Sequence, residues 1–242
     1  MLKSFADGKM KVTTLKQLNK ADRELVQRIK DNRLTYLSDK KLCQIVNMVK
    51  TIEASSIPGV IIEAGCALGG SAILIAKTKS VRRSLRVYDV FGMIPPPTVN
   101  DTPDVHERYD IISEGKSSGL GGDKYYGYEE NLYAKVVSNF ESFAVMPDKD
   151  EVELIKGLVQ DTLYINGSVA LAHIDVDWYD PVMICLQRIY PKLSVGGAII
   201  LDDYHDWGGC RKATDEFLQQ VVGTYDLDDT SGSMTIIKKT AD

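Results

Sequence analysis

The chain has 242 residues, of which 44% are hydrophobic and 26% are charged. This composition favours a folded protein with a sizeable core and excludes wholesale disorder. The formal net charge of −5 argues against a nucleic-acid binder, which presents a basic surface. No apolar run approaches the roughly 20 residues of a membrane span, and the first residues lack a signal-peptide core. Four separated cysteines without CxxC spacing predict neither zinc nor disulfides. We therefore expect a soluble cytoplasmic protein without nucleic-acid or membrane partners.

Hydrophobic periodicity divides the chain into alternating helices and strands. Helices are predicted at 14–31, 39–54, 71–79, within 128–143, at 182–193 and at 211–222. Strands are predicted at 59–65, 85–91, 152–157, 169–177, 196–204 and 233–239. Strands that alternate with helices predict an α/β fold, a mostly parallel sheet with helices on both faces. Ligands bind such sheets outside the carboxyl ends of the strands.

The predicted elements suggest a division of the chain. Residues 1–54 form an N-terminal helical segment, and residues 55–242 form the main domain. Within that domain, the stretch from about 92 to 150 interrupts the alternation with the Pro-rich "GMIPPPTVNDTPD" and the Gly- and Tyr-rich "SSGLGGDKYYGYEENLY". Long insertions of this kind often cover binding sites, so we expect this insert to cover the substrate.

The turn after the first predicted strand reads "EAGCALGGS" and spans Glu63 to Ser71. Its glycines allow a ligand to approach the backbone, and the N-terminus of the following helix favours a negative group. The spacing of Gly65 and Gly69 is not the GxGxxG of dinucleotide enzymes. Asp89 ends the second predicted strand, where a carboxylate can accept hydrogen bonds from a ribose diol. Together these features predict a nucleoside cofactor across the edge of the sheet.

Two clusters of aspartates follow the fourth and fifth predicted strands. Asp175 and Asp177 end "AHIDVD", and Asp202 and Asp203 end "AIILDD". Adjacent parallel strands lie about 4.8 Å apart, so these side chains can converge. Two carboxylates about 4 Å apart repel by roughly 4 kcal/mol at an effective dielectric of 20; a proton, a basic partner or a metal must offset this. Oxygen ligands suit Mg²⁺, Mn²⁺ or Ca²⁺ rather than zinc.

Other polar residues near these clusters have separate interpretations. Asp177 is expected either beside the metal ligands or facing the substrate. Asp180 followed by Pro181 predicts a helix N-cap with proline at the first helical position. His205 is either a base or substrate-orienting residue or a polar loop residue, whereas His173, within a strand, is expected to be structural.

Five motifs together resemble the macrocin O-methyltransferase family: "IEAGCALGGSA", "VYDVFGMIPPP", "IDVDWYDP", "YPKLSVGGAIILDDY" and "CRKATDEF". The resemblance covers roughly residues 33–239. Members of this family are class I S-adenosylmethionine-dependent enzymes that methylate sugar hydroxyls of natural products. The resemblance implies a Rossmann-like class I methyltransferase fold, with a seven-stranded, mostly parallel sheet and a C-terminal antiparallel strand. It also implies a homodimer or higher homo-oligomer.

The resemblance further implies roles for individual residues. The residues implied to bind S-adenosylmethionine are Glu63, Gly65, Ala67, Gly69, Gly70, Ser71, Asp89, Gln160 and Asp161. Asp175, Asp202 and Asp203 are implied to hold a divalent metal, usually Mg²⁺, with Mn²⁺ or Ca²⁺ as alternatives. Asp175 is also the favoured general base. The position of His205 after the Asp pair, and not the resemblance, makes it a second catalytic candidate. The chain departs from the family at Trp178, where leucine is common, and in the 100–140 segment.

These features predict a metal-dependent O-methyltransferase that acts on a sugar hydroxyl of a natural product or glycan precursor. Two alternatives remain at this point. One is methylation of a catechol-like small phenol, on which tyrosines of the insert can stack. The other is a nucleotide-binding module without catalysis, against which the intact aspartate clusters argue. A nicotinamide dehydrogenase is disfavoured by the glycine spacing.

Overall fold

The computed structural model describes residues 14–240, whose strands join in one sheet. The strands are β1 (Val60–Ala64), β2 (Leu85–Asp89), β3 (Val152–Lys156), β4 (Val169–Ile174), β5 (Leu193–Leu201), β6 (Tyr225–Asp228) and β7 (Met234–Lys238). Their order across the sheet is β3-β2-β1-β4-β5-β7-β6. The first five run parallel, and β7 pairs antiparallel with β5 and β6. The predicted α/β fold with a C-terminal antiparallel strand is confirmed.

Eight α-helices of the described residues surround the sheet. They are α1 (Lys20–Asp31), α2 (Asp39–Ala54), α3 (Gly70–Thr78), α4 (Pro103–Ser113), α5 (Leu132–Ser142), α6 (Val159–Thr162), α7 (Tyr179–Ile189) and α8 (Gly208–Leu218). No helix within residues 14–240 has both the length and the apolar character that crossing a membrane requires.

The two faces of the sheet carry two separate hydrophobic cores. Along β1 the side chains alternate, so that Ile61 packs in one core and Ile62 in the other. The first core contains buried residues of α1, α2, α3 and α5. The second contains buried residues of α6, α7 and α8. Helices on both faces explain why the central strands β1 and β4 are buried almost throughout.

The register of the sheet brings three strand ends to one level. Ala64 at the end of β1 pairs with Ile174 at the end of β4, which pairs in turn with Leu201 at the end of β5. The residues that follow these ends, including Asp175 and Asp202, therefore emerge together. This alignment builds the functional site from stretches of chain that are far apart in sequence.

Most predicted elements are found, with shifted ends. The first predicted helix divides into a 3₁₀ turn at Leu15–Gln17 and α1, and α7 and α8 each begin three residues earlier than predicted. The N-cap prediction for Asp180 is wrong, because Trp178 occupies the N-cap of α7. The carboxylate of Asp180 instead accepts a hydrogen bond from Asn100 at 2.9 Å.

Three elements were missed because their sequences carry weak apolar patterns. Helix α4 buries only Val105 and Ile112, and α6 is a single turn. Strand β6 lies at the edge of the sheet, with its central residues exposed. Elements that bury one or two side chains produce little periodicity for a sequence pattern to reveal.

Candidate active site

A cavity of about 650 Å³ opens at the carboxyl ends of the strands. One side is formed by the turn after β1 and by Asp89 of β2, and another by the loops that follow β4 and β5. The insert supplies further wall residues, among them Pro95, Arg108 and Tyr125. Clefts of this size at this edge of an open α/β sheet are the usual ligand sites of such folds.

The turn after β1 brings the backbone close to the ligand space. Gly65, Ala67 and Ser71 line the cavity. Gly65 has φ +82°, and a Cβ there would lie 1.8 Å from the carbonyl oxygen of Asp175. Only glycine allows the turn to pack directly on the loop that carries Asp175. The turn at Glu63–Ser71 and the loop that carries Asp175 are therefore held in fixed relation.

Two glycines of this turn shape it without lining the cavity. Gly69 caps α3 with φ +89°, and a Cβ at Gly70 would lie 2.4 Å from the carbonyl oxygen of Leu34. Neither is among the lining residues. Their predicted direct contact with a cofactor gains no support, and their close packing gives them a structural role.

The carboxylate of Asp89 binds the turn after β1 to the end of β2. One oxygen accepts hydrogen bonds from the backbone N–H groups of Cys66 (2.7 Å) and Ala67 (3.3 Å), and the other accepts from Phe91 (2.6 Å). Burial raises the pKa of Asp89, although these hydrogen bonds oppose the rise. The oxygen that accepts from Phe91 has a second lone pair, so the predicted bond from a ribose diol is compatible with this geometry.

Glu63 lies beneath the turn rather than in the cavity. Its side chain is fully buried, and one carboxylate oxygen accepts a hydrogen bond from the Ser71 hydroxyl and lies 3.2 Å from His173 Nδ1. On its other side, His173 Nε2 is 3.9 Å from a carboxylate oxygen of Asp202. Burial lowers the pKa of His173, but Asp202 and Glu63 outweigh it and raise the pKa to about 9. The imidazole thus lies between Glu63, beneath the turn after β1, and Asp202 of the aspartate cluster, consistent with its predicted structural role.

Asp175, Asp202 and Asp203 converge as their strands predict. Each offers an oxygen, and these three oxygens all lie within 4.8 Å of one another. The pKa of Asp175 is raised well above its ordinary value by burial and by Asp203, and the pKa of Asp203 is raised by burial and by the neighbouring aspartates. Closely packed like charges thus make full ionisation costly in the absence of a cation.

The three aspartates satisfy a simple test for a divalent cation. Oδ2 of Asp203 is buried and has no hydrogen-bond partner, which is costly for a carboxylate unless another group meets it. The donors are all carboxylate oxygens, the type that Mg²⁺, Mn²⁺ and Ca²⁺ prefer. The residues therefore fit a hard divalent cation.

Sequence reasoning missed Lys41, which reaches this cluster from α2. Its Nζ lies 3.0 Å from Asp202 Oδ2 and 2.7 Å from Asp206 Oδ2. Burial lowers the pKa of Lys41, but Asp202 and Asp206 outweigh it, and the net shift is upward. Burial likewise raises the pKa of Asp202, but His173 and Lys41 reverse this and hold it below its ordinary value. No motif in "SDKKL" marks this lysine as part of a site.

Asp177 lines the cavity beside the three clustered aspartates. Its φ of +56° is uncommon for a residue with a side chain. Burial raises the pKa of Asp177 to about 7, and the charge of Asp202 acts in the same direction. Arg108 and Trp207 lie close enough to oppose that rise. Asp177 thus faces the ligand space, as one of its two predicted roles requires.

Two further predicted site residues, besides Glu63, Gly69 and Gly70, lie outside the cavity. The side chain of His205 is 39% exposed and lies 3.9 Å from Asp229, and it does not line the cavity. Its predicted catalytic role gains no support, because a base must reach the acceptor. Gln160 lines the cavity, whereas Asp161 is exposed on α6 and does not.

The sheet order, with β7 antiparallel to its neighbours, and a ligand cavity at the carboxyl edge are those of the class I methyltransferase fold. Comparison with known proteins gives the family. The model of the macrocin-O-methyltransferase (TylF) family matches residues 1–234, and the chain belongs to this family. It is accordingly an S-adenosylmethionine-dependent O-methyltransferase.

The chain shares less than 30% sequence identity with each of three known relatives. The chain is 28% identical over 194 residues to demethyldecarbamoylnovobiocin O-methyltransferase of Streptomyces niveus, covering 77% of this chain and 68% of that protein. It is 27% identical over 211 residues to 8-demethyl-8-(2,3-dimethoxy-alpha-L-rhamnosyl)-tetracenomycin-C 4'-O-methyltransferase of Streptomyces olivaceus, covering 78% and 73%. Among solved structures, the O-methyltransferase NovP superposes with a TM-score of 0.65 at 22% identity, covering 86% of this chain and 83% of that one.

Proposed function

We propose that this protein transfers the methyl group of S-adenosylmethionine to a hydroxyl of a sugar ring in a small natural product or glycan precursor, with the help of a divalent metal. One observation carries the proposal. Three carboxylate oxygens suited to a hard cation meet within 4.8 Å, in the same cavity as the glycine turn and Asp89. The name of the Streptomyces olivaceus relative, a methyltransferase of a rhamnosyl-tetracenomycin, supports the acceptor class.

Asp175, Asp202 and Asp203 are the proposed ligands of the metal, Mg²⁺ before Mn²⁺ or Ca²⁺. When bound, such a cation lowers the pKa of a hydroxyl and fixes its orientation. Lys41 lies 3.0 Å from Oδ2 of Asp202, and the Ser233 hydroxyl donates to Oδ1 at 3.0 Å, so this carboxylate is positioned before a ligand arrives. Gly65 lets the turn after β1 pack directly against the backbone of Asp175.

The proposed reaction is an in-line displacement. A hydroxyl of the acceptor gives its proton to a carboxylate, and its oxygen forms a bond to the methyl carbon. The bond from that carbon to sulfur breaks, and its electron pair stays on sulfur as neutral S-adenosylhomocysteine. The protein holds the two reactants in line and excludes water, while the sulfonium supplies the chemical driving force.

The proton acceptor is proposed to be Asp177. Sequence reasoning favoured Asp175, but a cation bound to this carboxylate would stabilise its ionised form and make it a weaker base. Asp177 lies outside the three-carboxylate group and still lines the cavity. A free carboxylate beside the acceptor is better placed to take a proton.

The proposal is tested with the purified full-length chain. We expect S-adenosylhomocysteine to bind in calorimetry, and labelled methyl to transfer from S-adenosylmethionine to demethyldecarbamoylnovobiocin or to the rhamnosyl-tetracenomycin acceptor of the second relative. EDTA should abolish turnover and Mg²⁺ should restore it. Asp203→Asn should lose Mg²⁺ binding in calorimetry, whereas Asp226→Asn, at an exposed position of the edge strand β6, should retain it.

Each part of the proposal has its own contrary result. Turnover that is indifferent to EDTA, in a protein that binds no Mg²⁺, contradicts the metal. Methylation of catechol in preference to both glycosides contradicts the sugar acceptor. Failure to bind S-adenosylhomocysteine contradicts the cofactor assignment.

A further inference from the structure

Both tryptophans of the chain lie at one corner of the cavity. Trp178 follows the Asp175 loop, and Trp207 follows Asp202 and Asp203. Their ring centroids are 6.0 Å apart with an interplanar angle of 76°, and both residues line the cavity. The chain has two tryptophans in all, so every indole it possesses faces the same ligand space.

These indoles occupy positions where local structure favours other residues. Trp178 is the N-cap of α7 and Trp207 is the N-cap of α8, and neither side chain makes a capping hydrogen bond. N-caps are normally Ser, Thr, Asp or Asn, whose side chains accept from the first helical N–H groups. The chain uses that chemistry elsewhere, with Asn19, Ser38 and Asn131 capping α1, α2 and α5. Helix formation therefore does not explain the two tryptophans.

The insert supplies the capping that the tryptophans cannot. Asp101 Oδ1 accepts a hydrogen bond from the backbone N–H of Tyr179 at 2.7 Å, and Asp104 Oδ2 accepts from that of Gly208 at 2.9 Å. A Cβ at Gly208 would lie 2.4 Å from Thr102 Oγ1, so glycine is needed for this approach. Because Asp101 and Asp104 accept these hydrogen bonds, the side chains at the two N-cap positions need not do so and can contact a ligand.

The two indoles are not equivalent. Trp178 is 3% exposed, and its Nε1–H donates to the carbonyl oxygen of Pro95 at 2.9 Å, which fixes the ring against the insert. Trp207 is only half-buried, and its backbone N–H donates to the carbonyl oxygen of Asp203 at 2.9 Å. Trp178 therefore serves as a fixed support, while Trp207 keeps surface available to a ligand beside the carboxylates.

We propose that Trp207, supported by Trp178, is the surface on which the sugar ring of the acceptor stacks, and that it determines specificity for a pyranose. This inference rests on the proposed sugar acceptor. The C–H face of a pyranose is apolar and packs well on an aromatic ring, while its hydroxyls remain free for polar partners. A ring on Trp207 directs its hydroxyls toward Asp177 and the three-aspartate cluster.

The two tryptophans also provide the readout. Trp178→Phe leaves Trp207 as the sole indole, and Trp207→Phe leaves Trp178, so that selective excitation of tryptophan reports on one position at a time. With S-adenosylhomocysteine and Mg²⁺ present, we expect methyl α-L-rhamnopyranoside to change the emission of Trp178→Phe saturably and to leave that of Trp207→Phe nearly unchanged. Catechol, which has no pyranose, should produce no saturable change in Trp178→Phe.

Kinetics give a second, independent measurement. Trp207→Ala should raise the KM for the glycoside acceptor about tenfold, the loss of roughly one stacking contact, with a smaller effect on kcat. Trp207→Phe retains a ring and should restore most of the KM. S-adenosylhomocysteine affinity should change less than about twofold, equivalent to about 0.4 kcal/mol, in both variants. Tyr164→Ala, at an exposed site outside the cavity, is the control.

The proposal is overturned if no saturable change occurs, if Trp207→Phe responds as strongly as Trp178→Phe, or if catechol competes with the rhamnoside. An unchanged KM in Trp207→Ala overturns it as well. If S-adenosylhomocysteine binds and a glycoside is methylated, but the emission of Trp178→Phe and the KM of Trp207→Ala do not change, this inference alone fails. If no glycoside is methylated, the proposed function fails instead.

Discussion

Asp175 and Asp177 are two residues apart, yet the structure gives them different surroundings. Asp175 contributes an oxygen to the group that includes Asp202 and Asp203, and its backbone carbonyl is packed against Gly65. Asp177 has φ +56°, which turns it out of the extended conformation of the strand. The same short motif therefore offers a carboxylate to a cation and a second carboxylate to the acceptor.

This difference predicts different defects in the two amide variants. Asp175→Asn should lose Mg²⁺ binding in calorimetry, because it removes one charged ligand of the cluster. Asp177→Asn should retain Mg²⁺ and S-adenosylhomocysteine binding but lower kcat by about 10²- to 10⁴-fold, the usual contribution of a general base. Equal loss of Mg²⁺ binding in both variants would contradict the division of roles, as would full activity in Asp177→Asn.

At the level of single residues, sequence predicted the acidic cluster well and its counter-charges poorly. The three aspartates follow strands that a pattern can recognise, so their convergence follows from the sheet. Lys41 precedes Asp202 by 161 residues and meets it only because α2 packs against β4 and β5. His205 shows the converse, since adjacency in sequence to Asp203 does not bring its ring into the cavity.

Helices α7 and α8 depend on the insert for their first hydrogen bonds. The first turn of a helix leaves several N–H groups without partners, and both N-cap tryptophans leave them unmet. Asp101 and Asp104 fill that need from another element. For Asp104, burial would raise the pKa, but the nearby Thr102 hydroxyl and the hydrogen bond from the backbone N–H of Gly208 outweigh it and lower the pKa, which favours the ionised, accepting form.

Asp104→Ala should therefore destabilise the protein by about 1 kcal/mol, which corresponds to a fall of roughly 2–4 °C in Tm for a domain of this size. Asp104→Asn keeps an acceptor oxygen and should recover most of the loss. Differential scanning calorimetry of the three proteins measures both effects. A Tm for Asp104→Asn as low as that for the alanine variant would show that charge, and not the capping hydrogen bond, is what matters.

At the scale of the whole molecule, the predicted division at residue 54 runs through a shared core. Helix α2 and strand β1 bury residues in the same hydrophobic cluster as α3 and α5. The buried apolar residues of α2 are Leu42, Cys43, Ile45, Val46, Met48, Val49 and Ile52. A segment that covers so much of one face of the sheet cannot be removed without exposing it.

We expect residues 55–242, expressed alone, to give an aggregated or non-cooperatively melting product that does not bind S-adenosylhomocysteine. Co-expression with residues 1–54 as a separate chain should restore binding, because the missing face of the core returns. Calorimetry and size-exclusion chromatography measure both. A truncated chain that melts cooperatively and binds the cofactor product would establish residues 55–242 as an independent domain. The predicted homo-oligomer is checked in the same chromatography on the intact chain.

The sequence by itself determined the alternation of strands and helices, the parallel sheet, the edge at which ligands bind and the aspartates that meet there. These follow from local periodicity and from the geometry of parallel strands. Tertiary structure alone decided that Lys41 and His173 surround Asp202, that the insert caps α7 and α8, and that Trp178 and Trp207 form one corner of the cavity. Such contacts join residues that are distant along the chain, and they depend on how helices and loops pack across the sheet, for which a single sequence carries no periodic signal.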